Sequence, residues 1–125
     1  MTENLSVLLV DDEEELVSAL RERMELRGID AVLALNGQQA LHEAEMKKFD
    51  VAVIDVMMPE MSGMEVMEQL LKVQPGIKVI LLTGRGDEND SAAGLRMGAF
   101  DYIIKPVNIN VLLDLIRRAV KKNND

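Results

Sequence analysis

A chain of 125 residues is the size of one compact domain, and its 48% apolar and 29% charged residues are the balance of a globular rather than a disordered protein. A formal charge of −8 disfavours a nucleic-acid or anionic-membrane surface, since both require a basic footprint. Cysteine is absent, which excludes disulfides, Fe–S clusters and thiolate catalysis, and no apolar run approaches the roughly 20 residues that span a bilayer.

The N-terminal segment lacks the basic flank and small-residue cleavage site of a secretory signal, so residues 5–10 read as a first strand and a cytoplasmic location is expected. A helical stripe of Leu16, Ala19, Leu20 and Met24 follows, ended by Arg27-Gly28. Residues 31–35 form the next apolar run, then Asn36-Gly37 and a stripe of Ala40, Leu41 and Ala44. The run 51–54 precedes a third stripe of Met64, Met67, Leu70 and Leu71, closed by Pro75-Gly76. The run 79–82 leads to a fourth helix around 91–97, weakened by Gly94 at a cost of about 1 kcal/mol. Residues 102–104 and Lys105-Pro106 come before the clearest helix, which carries Ile109, Leu112, Leu113, Ile116 and Val120. The strand runs are nearly continuous in Val, Ile and Leu, as strands covered on both faces of a parallel sheet must be. Five such alternations predict an α/β, doubly wound, flavodoxin-like fold with strand order 2-1-3-4-5 and five helices. The reading is one domain over 1–125, its core about 5–120, with no output domain in the chain.

In an open parallel sheet the ligand site lies beyond the carboxyl ends of the strands. There the predicted strands place Asp11 and Asp12, Asp55, Thr83 and Lys105. Carboxylates about 5 Å apart at an effective dielectric of 20 repel by roughly 3 kcal/mol per pair, so a counter-charge is required. With oxygen donors only, Mg²⁺ is the natural cation and Mn²⁺ an acceptable substitute. Counting the three Asp, Lys105 and one such cation brings the pocket to neutrality. A strand-end carboxylate so neutralised can attack phosphorus, with Thr83 and Lys105 placed to stabilise phosphoryl oxygens.

These residues sit in four motifs: Asp11-Asp12 after the first strand, DVMMPEMSG from Asp55 to Gly63, LLTG from Leu81 to Gly84, and GAFDYIIKP from Gly98 to Pro106. Together and in this order they resemble the receiver domain of the two-component response-regulator family, over roughly residues 5–120. The resemblance implies that Asp55 is the phosphoacceptor, Asp12 a direct metal ligand, Asp11 a ligand of metal-bound water, and the Met57 carbonyl the remaining protein ligand. It implies that Thr83 and Lys105 contact the phosphoryl group, that Tyr102 reports the phosphorylated state, and that the Lys105–Pro106 bond is cis. The implied donor is a phosphohistidine on a sensor histidine kinase or phosphotransfer protein, replaceable by acetyl-phosphate-like molecules. Self-dephosphorylation follows, and the chain catalyses nothing beyond these two reactions on itself. The implied output surface is the face of the fourth helix, fifth strand and fifth helix, offered to an effector, an output domain or a second copy. Met57 and Arg85 lie two residues past Asp55 and Thr83, where they are expected to tune the lifetime of the phosphorylated state.

Other features have plainer readings. Tyr102 is the only Tyr, so core filling competes with a switch role. His42 reads as a solvated helix residue, and Glu13 to Glu15 as an acidic cluster favouring a helix N-terminus. Most Met residues read as core, although Met57, Met58 and Met61 can gate the site. Arg117, Arg118, Lys121 and Lys122 complement a helix dipole. Val111 and Leu115 lie off the main stripe of the last helix, which suggests a homodimer seam or a target-docking surface. A haloacid-dehalogenase-type phosphohydrolase is the main rival, but its second Asp would occupy position 57, where this chain has Met. A nucleotide-binding P-loop motif is missing, and a receiver-like module never phosphorylated in use is the third possibility.

Overall fold

Strand and helix alternate strictly through the chain in a computed structural model that describes residues 4–84 and 88–123. The elements are β1 (Ser6–Val10), α1 (Glu14–Glu25), β2 (Asp30–Ala34), α2 (Gly37–Met46), β3 (Val51–Asp55), α3 (Gly63–Val73), β4 (Lys78–Thr83), α4 (Glu88–Met97), β5 (Asp101–Ile104) and α5 (Ile109–Asn123). All strand pairs are parallel, and the order is β2-β1-β3-β4-β5, as the sequence predicts. Among the described residues no helix is long and apolar enough to cross a membrane.

Strand alternation divides the core into two layers. Val7 and Leu9 of β1, Val51 and Val53 of β3, and Ile80 and Leu82 of β4 pack with Val17, Leu20 and Met24 of α1 and Leu112 and Ile116 of α5. Leu8, Val10, Ala52, Ile54, Val79 and Leu81 turn the other way, toward Ala40 and Ala44 of α2 and Val66, Met67 and Leu70 of α3. Every residue of β3 is buried, which explains its unbroken apolar run up to the terminal Asp55.

Two helical stripes differ from the sequence reading. In α1 the buried positions are Val17, Leu20 and Met24, while Ala19 is exposed and Leu16 only half-buried. Val17 and Met24 share one face at i, i+7, and the small Ala19 loses little by facing water. In α5, Leu115 is buried in the core, so it is not part of an outer apolar surface; Val111 alone of that pair is exposed. The fourth helix does form, and Gly94 in it is a close-approach residue, because a Cβ there would lie 2.2 Å from Leu81 Cδ1 on β4. Side chains start three helices: Asn36 accepts from the Gln39 N–H at 2.8 Å, Ser62 from Glu65 at 3.3 Å, and Asn108 from Asn110 and Val111.

Candidate functional site

The carboxyl ends of β1, β3, β4 and β5 bring together residues that lie far apart in the chain. Asp11 leaves β1 with its N–H donating to Ala34 O of β2 at 3.1 Å, and its Oδ1 accepts the Glu13 N–H at 2.9 Å. Asp55 ends β3, its register partner on β4 being Leu82. Thr83 ends β4, and its carbonyl accepts the Lys105 N–H at 2.7 Å, which fixes the exit of β5. The following Lys105–Pro106 bond is cis.

Asp11, Asp12 and Asp55 each offer a carboxylate oxygen within 4.8 Å of the other two. Asp11 is fully buried and Asp55 is 5% exposed, while Asp12 is exposed. Lys105 reaches across to them: Nζ lies 3.0 Å from Asp11 Oδ2, 3.4 Å from Asp55 Oδ2, and donates a hydrogen bond to Glu13 Oε1 at 2.6 Å. Asp11 Oδ2 has that ion pair but no hydrogen bond, and the Thr83 hydroxyl, in a residue 1% exposed, has no hydrogen-bond partner among the described residues. A buried hydroxyl left unpaired costs about 1–3 kcal/mol, so a structure that retains one at a ligand site has a donor in reserve.

Burial pushes the Asp55 carboxyl up from 3.8 to about 6, and the charge of Asp11 adds to this. The Lys105 charge and a 3.2 Å hydrogen bond from the Met57 N–H pull it partly back. Burial works against the Lys105 ammonium, yet Glu13 and the Asp11 and Asp55 charges hold it above the ordinary lysine range. One cation therefore does not neutralise this pocket. The donor set fits a hard divalent ion: oxygen ligands only, two of the three carboxylates buried, and a buried carboxylate oxygen without a hydrogen bond.

Two residues important to the site are given no site role in the sequence reading. Glu13, assigned there to the dipole of the first helix, occupies the N-cap of α1 without a side-chain capping bond and is spent on Lys105 instead. The charge count must include it, so a divalent cation leaves the pocket at a net −1 rather than neutral. Its position directly after Asp11-Asp12 was the available signal. The second is Gly63: a Cβ there would lie 2.1 Å from the Asp55 carbonyl oxygen, and its N–H donates to Val56 O at 2.9 Å. Only glycine lets α3 start against the strand that carries Asp55.

The remaining expected residues divide. Met57 is 62% exposed, with its backbone N–H on Asp55. Arg85 lies outside the described residues. Tyr102 is half-buried against the core layer that contains Leu81, and Met58 and Met61 are partly buried against the same layer. His42 is exposed on α2 and is not part of the carboxylate cluster. A cleft of about 510 Å³ lined by Lys47, Gln74 and Ile77 opens at the opposite ends of β3 and β4. There Gln74 is tied to Ala44 O, Lys47 O and the Phe49 N–H, so that end of the molecule is braced.

Comparison with known proteins agrees with this fold. Residues 7–117 match the family model described as the response regulator receiver domain. The chain is 41% identical over 103 residues to the alkaline phosphatase synthesis transcriptional regulatory protein PhoP of Bacillus subtilis, covering 82% of this chain and 43% of that protein. It is 38% identical over 118 residues to the transcriptional regulatory protein CpxR of Escherichia coli, covering 94% of this chain and 50% of CpxR. The chain thus spans about half the length of the curated relatives it matches. Among solved structures, a CheY-like response regulator receiver domain protein from Methanospirillum hungatei superposes with a TM-score of 0.91 at 30% identity, over 98% of both chains. A receiver domain protein from Clostridium thermocellum gives 0.90 at 29% identity, over 96% of this chain and 97% of that one.

Proposed function

The chain belongs to the response-regulator receiver family of two-component signalling, and from that premise we propose that it is a phosphoacceptor switch in which Asp55 takes a phosphoryl group from a phosphohistidine. The observation that carries this reading is the convergence on Asp55 of two further carboxylates and one ammonium, with a buried unpaired hydroxyl at the end of the neighbouring strand β4.

The donor is a sensor histidine kinase or a histidine phosphotransfer protein, with small acyl phosphates as substitutes. In the transfer a bond forms between an Asp55 carboxylate oxygen and phosphorus while the bond from phosphorus to the imidazole nitrogen breaks, its electron pair staying on the imidazole. Lys105 pairs with one phosphoryl oxygen and Thr83 donates its hydroxyl hydrogen to another. Mg²⁺, or Mn²⁺ in its place, would be held by Asp11, Asp12, Asp55 and the Met57 carbonyl, and supplies positive charge against the carboxylates and the transferred group. Water ends the signal by attack on the same phosphorus: the bond from phosphorus to the Asp55 oxygen breaks, its electron pair returns to the carboxylate and inorganic phosphate leaves, and Met57, with Arg85, sets how readily the water arrives. The reactions are confined to the protein's own Asp55.

Phosphorylation makes the pocket more negative by about one charge, since Asp55 loses its own and the phosphoryl group brings about two. Thr83 then moves toward the new acceptor and Tyr102 into the space it leaves, which alters the surface of α4, β5 and α5. Leu95 and Met97 on α4, Ile104 on β5 and Val111 on α5 are exposed there, apolar contacts suited to an effector, an output domain or a second copy in a homodimer. A reaction confined to a phosphohistidine donor and an acidic acceptor requires neither nucleic acid nor membrane contact by this domain, and fits a cytoplasmic location.

Incubation with acetyl phosphate and Mg²⁺, followed by intact mass measurement, tests the proposal. One added phosphoryl group is expected on the wild type and none on Asp55→Asn. Rapid multiple turnover of the donor would favour a hydrolase, and no modification a module that signals by binding alone.

A further inference from the structure

The ammonium of Lys105 lies closer to Glu13 than to either aspartate. Its distance is 2.6 Å to Glu13 Oε1, against 3.0 Å to Asp11 Oδ2 and 3.4 Å to Asp55 Oδ2. The contact joins residues 92 positions apart, and the backbone of Glu13 is itself pinned by its N–H bond to Asp11 Oδ1. Glu13 does not cap α1, although it occupies the N-cap position, so its carboxylate serves Lys105 and not the helix. Its side chain is 61% exposed, and substitution there leaves both core layers untouched.

We propose that Glu13 is a positioning residue that tethers Lys105 in the unphosphorylated protein and restrains phosphoryl transfer. Its carboxylate competes with the incoming phosphoryl oxygens for the one ammonium among these side chains, and its charge repels them. This rests on Asp55 being the phosphoacceptor. On that basis Lys105 must give up or weaken its shortest contact when Asp55 gains the phosphoryl group, so removing the Glu13 charge makes the transfer easier. The same charge attracts a divalent cation, so its removal makes cation binding weaker. The opposite signs of these two effects separate a charge effect from general damage to the pocket.

Glu13→Gln keeps the length and an acceptor but loses the charge; Glu13→Asp keeps the charge but falls one methylene short of Nζ. With acetyl phosphate, saturating Mg²⁺ and low ionic strength, Glu13→Gln is expected to be phosphorylated roughly three- to tenfold faster than wild type, the size of one added like charge at partly screened contact range. Glu13→Asp should fall between the two. Raising salt from about 0.05 to 0.5 M, which shortens the screening length about threefold, should narrow the differences without abolishing them, because the 2.6 Å contact lies inside that length. In calorimetric titration of the unphosphorylated protein, Mg²⁺ should bind Glu13→Gln about two- to fivefold more weakly than wild type. A Glu13→Gln rate equal to or below wild type, a rate difference that widens at high salt, or an unchanged Mg²⁺ affinity would each overturn the proposal. If the wild type takes up no phosphoryl group, the phosphoacceptor reading fails with it; if only the Glu13 variants behave as wild type, that reading survives.

Discussion

Asp55→Asn should stabilise the metal-free protein, and the structure supplies both sign and size. Asp55 is nearly buried beside Asp11, and its carboxyl is raised from 3.8 to about 6. The folded state therefore binds its proton more tightly than the unfolded state does. Stability is full below about pH 4, falls as pH rises through the window from 3.8 to about 6, and is level above it. At about 1.4 kcal/mol per pH unit, the loss at pH 7 is on the order of 3 kcal/mol, an upper figure because water and side-chain relaxation screen it. Asparagine has the same shape and no charge to desolvate, so it should recover about 1–3 kcal/mol. For a domain of this size that is a rise in Tm of roughly 4–12 °C. Thermal melts followed by circular dichroism in EDTA at pH 7 and again near pH 4 would measure it, with the gain present at the first pH and nearly gone at the second. An Asn variant no more stable than wild type at pH 7, or a gain of equal size at both pH values, would refute the reasoning.

Gly63→Ala should cost roughly 2 kcal/mol or more in denaturant melts and slow phosphorylation by acetyl phosphate, because the added Cβ meets the Asp55 carbonyl at 2.1 Å. Lys105→Met should destabilise the metal-free protein by about 1–3 kcal/mol, since Asp11 and Asp55 lose their shared cation, and millimolar Mg²⁺ should restore much of it in the same melts. Glu60→Gly should stabilise by a few tenths to about 1 kcal/mol, as Glu60 has φ +68 in the loop after Asp55, a conformation glycine adopts without a Cβ penalty.

What the sequence carried and what it withheld follow from how local each feature is. Strand runs such as 51–54 and breakers such as Pro75-Gly76 report the neighbourhood of each residue, and five strict alternations favour the doubly wound order 2-1-3-4-5. The strand-end placement of Asp11, Asp55, Thr83 and Lys105 was legible for the same reason. The Glu13–Lys105 contact was not, because it joins residues 92 apart and a run of acidic residues at a helix start has an adequate local explanation. Gly63 was hidden in a similar way: its motif position was evident, but the 2.1 Å approach to Asp55 depends on the angle at which α3 meets β3. The choice between Ala19 and Val17 on α1, and the burial of Leu115 on α5, turn on a rotation of a helix about its axis that a stripe of several apolar residues leaves undetermined.

Chemical location of the acyl phosphate tests the central claim most directly. Borohydride reduces an aspartyl phosphate to homoserine, so the protein would be treated with acetyl phosphate and Mg²⁺, reduced, digested and its peptides weighed. The account predicts homoserine at position 55 alone, dependent on the divalent cation. Reduction at Asp11, Asp12 or Glu13 in its place, or at no carboxylate, would contradict it.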